Sequence, residues 1–438
     1  MILSKFYTIL YIIQDYFSDF NSYFPDLETK IRKSGVLSVL GAGKGAVMKI
    51  CAVICEYNPF HFGHAYLISE MKKRGAVVAV MSGSFTQRGE PAVISKYERA
   101  RAALLGGADL VLELPFPYSA SCAERFASAG TDIVSALGCV DELCFGSEAG
   151  NIDSLRIAAE RTASSAFADA VKSRLSEGHG ISYRSAVSEV YKKLYGAELC
   201  GGSNDILAIS YLARLNQTAS SVRPVAVKRI GEAYDGSGEG LPSASTVRKM
   251  LVDGDFDAVS RSVPSFMDEM LRSAAARGGI ADGEKLFPVF AGLVRSGREE
   301  IFGGVPDMTA ELSARLRMAA LHARDGEELL SMTETKRYSR SRIRRGLLYT
   351  LLGVKAENLA GACYTTVLAA NETGREILSS VRRSARIPIV TKPADYRQYG
   401  ETVRRAFELS ARADGIWELL CAAPRDGAAM MREKPVFL

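Results

Sequence analysis

Two histidines three residues apart, with a glycine between them, stand in the segment Glu56-Tyr57-Asn58-Pro59-Phe60-His61-Phe62-Gly63-His64, in a chain with only four histidines. An apolar run, 50–54, leads into this segment, and a helical pattern, 64–74, leads out of it. That order predicts a strand-to-helix turn at the carboxyl edge of a parallel sheet, where such folds bind ligands. A helix amino terminus offers free N–H groups and a positive dipole end, which suits phosphate. Gly63 lets the backbone approach a ligand without a Cβ in the way. Imidazoles at i and i+3 can face one phosphate chain and stabilise charge developing at its inner phosphorus. A metal pair and a structural turn are the competing readings. His-x-x-x-His is the better helical metal spacing and no third ligand lies nearby, so no metal-ligating residues are expected.

A second group lies downstream. Lys228-Arg229-Ile230-Gly231 ends an apolar run, and Pro242-Ser243-Ala244-Ser245-Thr246-Val247-Arg248 opens a helical one. Small hydroxyl residues at a helix start are ordinary N-caps, and alone this group says no more than that. A third group, 336–345, holds six basic residues (Lys336, Arg337, Arg340, Arg342, Arg344 and Arg345) and no acidic ones. Such a run is usually a solvated helix face. Tyr338 is interleaved with the cations, a pattern that also suits a surface tracking nucleic-acid phosphates. Lys96, Arg99 and Arg101, on an expected helix near the first site, are candidates to extend that surface. Some of these cations could serve a pyrophosphate instead.

The elements that must position these groups alternate. Strand-like runs at 50–54, 77–81, 110–114 and 142–145 are separated by helical stretches near 64–74, 96–105 and 120–137. Short apolar strands separated by helices indicate a parallel, doubly wound sheet. Residues 151–220 read as a helical insertion, clearest at 204–215. A strand at 222–229 is expected to return to the sheet, before a helix near Ser245. From about residue 255 to Leu352 the pattern is chiefly helical. The tail mixes strands at 364–369 and 387–390 with a helix at 403–411. The fold class expected is α/β: a Rossmann-like parallel-sheet domain over 48–250, then a mainly helical α+β region over 251–438.

The 438 residues are too many for one ordinary core, so about two or three domains are expected. Hydrophobic content of 47% with 24% charged residues is the profile of a globular chain. The net charge of +5 is too small to name a partner. Eight cysteines without a Cys-x-x-Cys pair, and no evident secretory signal, read as reduced thiols in a cytoplasmic protein. No membrane association is expected: the apolar stretch 6–13 is interrupted by Gln14 and Asp15, and a span needs roughly 20 apolar residues. Gly41-Ala42-Gly43-Lys44-Gly45-Ala46 lacks the P-loop spacing. Met48-Lys49-Ile50-Cys51-Ala52-Val53-Ile54 reads as the opening of the first strand, so 1–47 is expected to be an extension foreign to the working protein.

The segment Glu56-Tyr57-Asn58-Pro59-Phe60-His61-x-Gly63-His64 resembles the signature of the bacterial tRNA(Met) cytidine acetate ligase family, within the nucleotidyltransferase superfamily. The resemblance continues through Met81-Ser82-Gly83-Ser84-Phe85-Thr86-Gln87-Arg88-Gly89-Glu90-Pro91-Ala92 and Asp109-Leu110-Val111-Leu112-Glu113-Leu114-Pro115. It extends to Phe145-Gly146-Ser147-Glu148, Asn204-Asp205-Ile206-Leu207, Lys228-Arg229-Ile230-Gly231 and Lys336-Arg337-Tyr338-Ser339-Arg340-Ser341-Arg342-Ile343. It covers the chain from Met48 onward, with Phe62 and Ser203 as departures.

The resemblance implies a two-step reaction. Acetate attacks the α-phosphate of ATP, giving acetyl-adenylate and pyrophosphate, and the N4 amine of the wobble cytidine in elongator tRNA(Met) takes the acetyl group. In that superfamily a histidine pair serves the α-phosphate and a late Ser/Thr-x-Arg helix start serves the outer phosphates. His61 and His64 would be catalytic, with Mg²⁺ bridging the phosphates. ATP contacts would come from Ile54, Cys55, Glu56, Tyr57, Asn58, Pro59, Phe60, His61, Phe62, Gly63, His64, Ala65, Tyr66 and Leu67, with Gly146, Asn204 and Arg229. Lys336, Arg337, Arg340, Arg342 and Arg345 would bind tRNA. One rival is a nucleotidyltransferase acting on a small phosphorylated metabolite, which would need neither the basic run nor the long carboxyl-terminal region. The other is a non-catalytic RNA-binding protein, against which the intact His61/Gly63/His64 and Arg229/Arg248 sets argue.

Overall fold

Runs of β-branched and small apolar residues build the centre of the protein, described here from a computed structural model. The structure describes residues 48–177, 181–199, 202–230, 242–297 and 300–438. The expected extension 1–47 and its glycine-rich segment lie outside the described residues.

In chain order the first elements are β1 (Ile50–Cys55), α1 (Phe62–Lys72), β2 (Ala76–Ser82), α2 (Lys96–Leu105), β3 (Leu110–Leu114), α3 (Ala123–Ala136) and β4 (Glu142–Ser147). The expected insertion is helical: α4 (Ile152–Thr162), α5 (Ser165–Glu177), α6 (Tyr183–Tyr195) and α7 (Ser203–Gln217). After β5 (Arg223–Lys228) come α8 (Ala244–Val252), α9 (Phe256–Ser260), α10 (Ser265–Ala276), α11 (Leu286–Arg295), α12 (Ala310–His322), α13 (Gly326–Thr333) and α14 (Arg340–Leu352). The tail adds β6 (Thr365–Ala370), α15 (Glu372–Ser384), β7 (Ile389–Val390), α16 (Glu401–Leu419), α17 (Ala429–Arg432) and β8 (Val436–Phe437).

The sheet runs β5-β4-β1-β2-β3-β6-β7, with β8 also paired to β6. The first five of these are mutually parallel. The order reverses at β1, where β2 and β4 flank the first strand. That is the topological switch point at which doubly wound sheets bind ligands. Alternate side chains serve two cores. Cys51, Val53, Val77 and Ala79 face one, with α2, α10 and α16, while Ile50, Ala52, Val78 and Val80 face the other, with α3, α4 and α7. A sheet covered on both faces requires such continuously apolar strands.

The expected boundary near residue 250 divides the chain by character and not by packing. Residues 50–438 form one compact unit. β6, from the carboxyl-terminal half, adds antiparallel to β3, with Leu110 opposite Ala370. Trp417 on α16 donates its indole N–H to the Ala92 carbonyl, 2.7 Å away. Among the described residues no helix is long and apolar enough to cross a membrane.

Candidate active site

His61 is the N-cap of α1, an unusual residue in that place. Its Nδ1 accepts the Gly63 N–H at 3.0 Å, and His64 Nδ1 accepts the His61 N–H at 3.3 Å. The two rings thus do for each other's turn what Ser and Glu do in an ordinary capping box. They lie against each other with centroids 3.8 Å apart and planes tilted by 32°. Because both Nδ1 atoms accept, the neutral rings carry their protons on Nε2. Gly63 has a more local reason than ligand approach: a Cβ there would come within 2.8 Å of His61 Cε1.

Electrostatics keep the pair uncharged. Burial, then Arg229 and Arg248, push His61 down to about 3. Burial, then His61 and Arg229, hold His64 well below the usual imidazole range. The result is two neutral Nε2–H donors beside two guanidinium groups. Such donors can meet developing phosphate charge without first losing a proton to solvent.

Arg229 follows β5 and donates its N–H to Ser147 O at 3.0 Å. A Cβ on Gly146 would stand 3.2 Å from Arg229 Cγ, so Gly146 leaves room for this side chain. Arg248 reaches from the first turns of α8. Its Nη1 donates to Asn58 O and its Nη2 to Glu90 Oε2, both at 2.9 Å. Ser243 caps α8 by accepting the Thr246 N–H. His61, His64, Gly146, Arg229 and Arg248 are therefore gathered near the carboxyl ends of β1 and β4.

Other expected contacts have different surroundings. Tyr57 and Phe60 are buried in the core with ring centroids 5.1 Å apart, Tyr57 with a left-handed φ of 47°. Ile54 and Cys55 are buried in β1, and Ala65 and Leu67 pack against the same core as Phe60. Pro59 is buried, and Phe62 and Tyr66 are half-buried on α1. Asn58 spends its side-chain oxygen on the Val93 N–H at 2.8 Å. Asn204 opens α7 and donates Nδ2 to Glu148 Oε1 at 2.6 Å, while Asp205 N–H reaches Glu148 Oε2 at 2.9 Å. Burial raises Glu148, but these bonds outweigh it and hold the carboxyl below its usual range. Asp205 in turn accepts Ser147 Oγ–H at 2.5 Å. The motifs Gly146-Ser147-Glu148 and Asn204-Asp205 thus clamp one another, a role for Glu148 that sequence reasoning missed.

Two cations expected to widen an RNA surface are interior. Lys96 is held by Glu113 at 2.8 Å and Asp414 at 2.7 Å, with about 6% of its side chain exposed. Arg99 is fully buried and donates to the carbonyls of Glu56, Ser82, Gly83 and Ile94. It pins the histidine segment to the end of β2, and neither residue can reach RNA. Arg101 is exposed. The signal was available: Glu113 inside the apolar strand Leu-Val-Leu-Glu-Leu needs a buried cation.

The run 336–345 divides as well. Lys336 and Arg337 are exposed, Arg337 standing 3.4 Å from Glu311. Arg340 is paired with Glu327 and Glu334, and Arg342 donates to Asp307 O at 2.8 Å. Arg344 pairs with Glu90 at 3.0 Å, and Arg345 reaches Gln87 O at 3.4 Å. Tyr338 is fully buried, with its hydroxyl 2.9 Å from Thr309 Oγ1, so its ring cannot stack on a base. It fills the core between α11, α12 and α13 instead.

Among the described residues, the grouping of His, Cys, Asp and Glu near enough to share a metal is Cys51, Glu142 and Cys144. It lies by the start of β1, the far end of that strand from His61, and Arg74 already grips Glu142 at 2.7 Å.

The sequence profile of the HIGH nucleotidyl transferases matches residues 48–430. The chain belongs to that family. Its signature is spelled His61-Phe62-Gly63-His64 here. Within it, the chain is 34% identical over 402 residues to the tRNA(Met) cytidine acetate ligase of Acetivibrio thermocellus, covering 86% of this chain and 96% of the relative. It is 35% identical over 390 residues to the protein of that name from Caldanaerobacter subterraneus subsp. tengcongensis, covering 85% and 95% respectively. The fold superposes on Thermotoga maritima TmcAL bound with alpha-thio ATP with a TM-score of 0.82 and 29% identity, covering 89% of this chain and all of the other. These relatives do not favour the small-metabolite transferase.

Proposed function

We propose that this HIGH-family member is an ATP-dependent ligase that activates acetate as acetyl-adenylate and passes the acetyl group to N4 of the wobble cytidine of elongator tRNA(Met). The observation that carries the reading is the closely packed, neutral His61/His64 pair beside Arg229 and Arg248 in a chain that spans nearly the whole length of acetate-ligase relatives.

In the first step an acetate oxygen attacks the α-phosphorus and the bond to the bridging oxygen of pyrophosphate breaks. Negative charge grows on the non-bridging oxygens, where the two Nε2–H groups donate, and on the leaving pyrophosphate, which Arg229 and Arg248 attract. Positioning and fixed dipoles do most of such work, so no nucleophilic side chain is required. In the second step the N4 lone pair attacks the acetyl carbonyl carbon, AMP departs, and N4 releases one proton to solvent. Mg²⁺ would ride on the ATP phosphates and neutralise them, since Glu56 accepts the Gln87 N–H at 2.8 Å and Glu90 is shared by two arginines. Ile54 to Leu67, Gly146, Asn204 and Arg229 line the ATP site in this reading, several through main chain alone. Lys336 and Arg337, with Arg340, Arg342 and Arg345 behind them, face the tRNA, and the cytoplasm is the place of work.

The test is ATP–pyrophosphate exchange without tRNA. Exchange that appears only when acetate is added supports the first step. Exchange equally fast without acetate, or only with a phosphorylated metabolite, contradicts it.

A further inference from the structure

One carboxylate links the nucleotide arginine to the arginine helix. Residues 84–92 form a closed hairpin: Thr86 N–H and Oγ1 both reach Glu90 O, Gly89 N–H reaches Thr86 O, and Ala92 N–H reaches Ser84 O. Phe85 and Pro91 form a bridge across its base. The backbone under Glu90 is thus fixed by hydrogen bonds on both sides. From it, Oε2 accepts Arg248 Nη2 at 2.9 Å and Oε1 accepts Arg344 Nη1 at 3.0 Å. The three side chains are 24%, 22% and 30% exposed, sheltered enough for the charges to attract more strongly than an open surface pair.

The hairpin also touches both parts by its main chain. Gly89 has a φ of +76°, and a Cβ there would lie 2.9 Å from Arg345 N and 3.0 Å from Arg344 Cβ, so the loop rests directly on α14. Gln87 N–H donates to Glu56, the residue that opens the histidine segment. Arg248 is held from two directions, by Asn58 O on Nη1 and by Glu90 on Nη2. A guanidinium has five N–H donors, so these two bonds fix its plane while leaving donors for an anion.

We propose that Glu90 is a positioning residue for the nucleotide site: it sets the plane of Arg248 toward the phosphates and, by sharing its carboxylate with Arg344, makes α14 part of that site. This rests on the acetate-ligase reading for its substrate. Arg248 meets outer phosphates that are bound in the ground state as well as in the transition state, so loss of its orientation falls on KM and not on kcat. The two ends are also linked thermodynamically. An RNA phosphate that draws Arg344 from Glu90 alters ATP affinity, and ATP alters RNA affinity by the same factor.

Glu90→Gln keeps the shape and removes the charge. Its ATP KM in acetate-dependent exchange is expected to rise about tenfold, equivalent to about 1.4 kcal/mol, with kcat changed less than about twofold. Arg344→Gln, whose contact with the site runs through Glu90, is expected to raise ATP KM several-fold. The double variant is expected to be no worse than Glu90→Gln alone, because neighbours in one network are not additive. Unchanged ATP KM in either single variant, or fully additive effects, overturns the proposal. If Glu90→Gln does not fold, judged by thermal melting, Arg344→Gln decides alone. If the wild type shows no acetate-dependent exchange, the functional reading fails, and the same comparison made on ATP dissociation constants by calorimetry still decides the role of Glu90.

Discussion

The histidine segment and the basic run are both short, strongly patterned stretches, yet their patterns meant different things. In 56–64 the chemistry is local. The spacing that puts His61 and His64 on one turn also makes each ring cap the other's backbone. Nothing from elsewhere in the chain is needed to bring the two rings together. In 336–345 the charge is real but largely committed: Arg342, Arg344 and Arg345 each donate to a distant part of the protein, and Arg340 to Glu334 and Glu327 just upstream. A motif whose partners lie within it can be read from sequence; a charge whose partners lie far along the chain cannot.

Cations themselves show the contrast most sharply. Lys96→Met leaves Glu113 and Asp414 buried without their shared cation and is expected to cost about 3–5 kcal/mol of stability. Arg340→Gln, at a half-exposed pair, is expected to cost about 1 kcal/mol or less. Urea unfolding of both variants checks this, and equal costs would erase the distinction between committed interior and surface charge.

His64→Ala is expected to lose about 2–4 kcal/mol of transition-state stabilisation in acetate-dependent exchange, the range for removing one fixed donor. ATP binding is expected to suffer much less. With His61 pushed down to about 3, lowering the pH from about 8 to about 5 protonates neither ring, so exchange is expected to show no histidine limb there. Exchange within twofold of wild type for His64→Ala would remove this residue from the mechanism.

The smallest expected effect is on RNA. Reversing charge at Lys336 and Arg337 is expected to flatten the plot of log tRNA affinity against log salt by about one unit per lost phosphate contact, with exchange changed far less. An unaltered salt slope would move the RNA surface elsewhere.

Legibility in the sequence followed the same division. β1 to β5 and the helices between them were visible because alternating strands and helices repeat within a few tens of residues. The addition of β6 to β3 was not, because antiparallel pairing across most of the chain leaves no local period. Lys96 and Arg99 were read as surface because charged residues usually are, although Glu113 in an apolar strand pointed to an interior cation. His61, Gly63 and His64 were legible as a set. The reason for Gly63, room for the His61 ring, needed coordinates. Tyr338, interleaved with cations, suited a surface tracking phosphates, yet its hydroxyl meets Thr309 and Glu311 inside a helical core.

The most direct test of the central claim is to incubate the protein with ATP, carbon-labelled acetate and tRNA(Met), then digest the RNA and weigh its nucleosides. Cytidine heavier by one labelled acetyl group, at the wobble position, formed only when ATP and acetate are both present, is the expected result. Unmodified cytidine alongside steady ATP turnover, or ATP turnover equally fast without acetate, would contradict it.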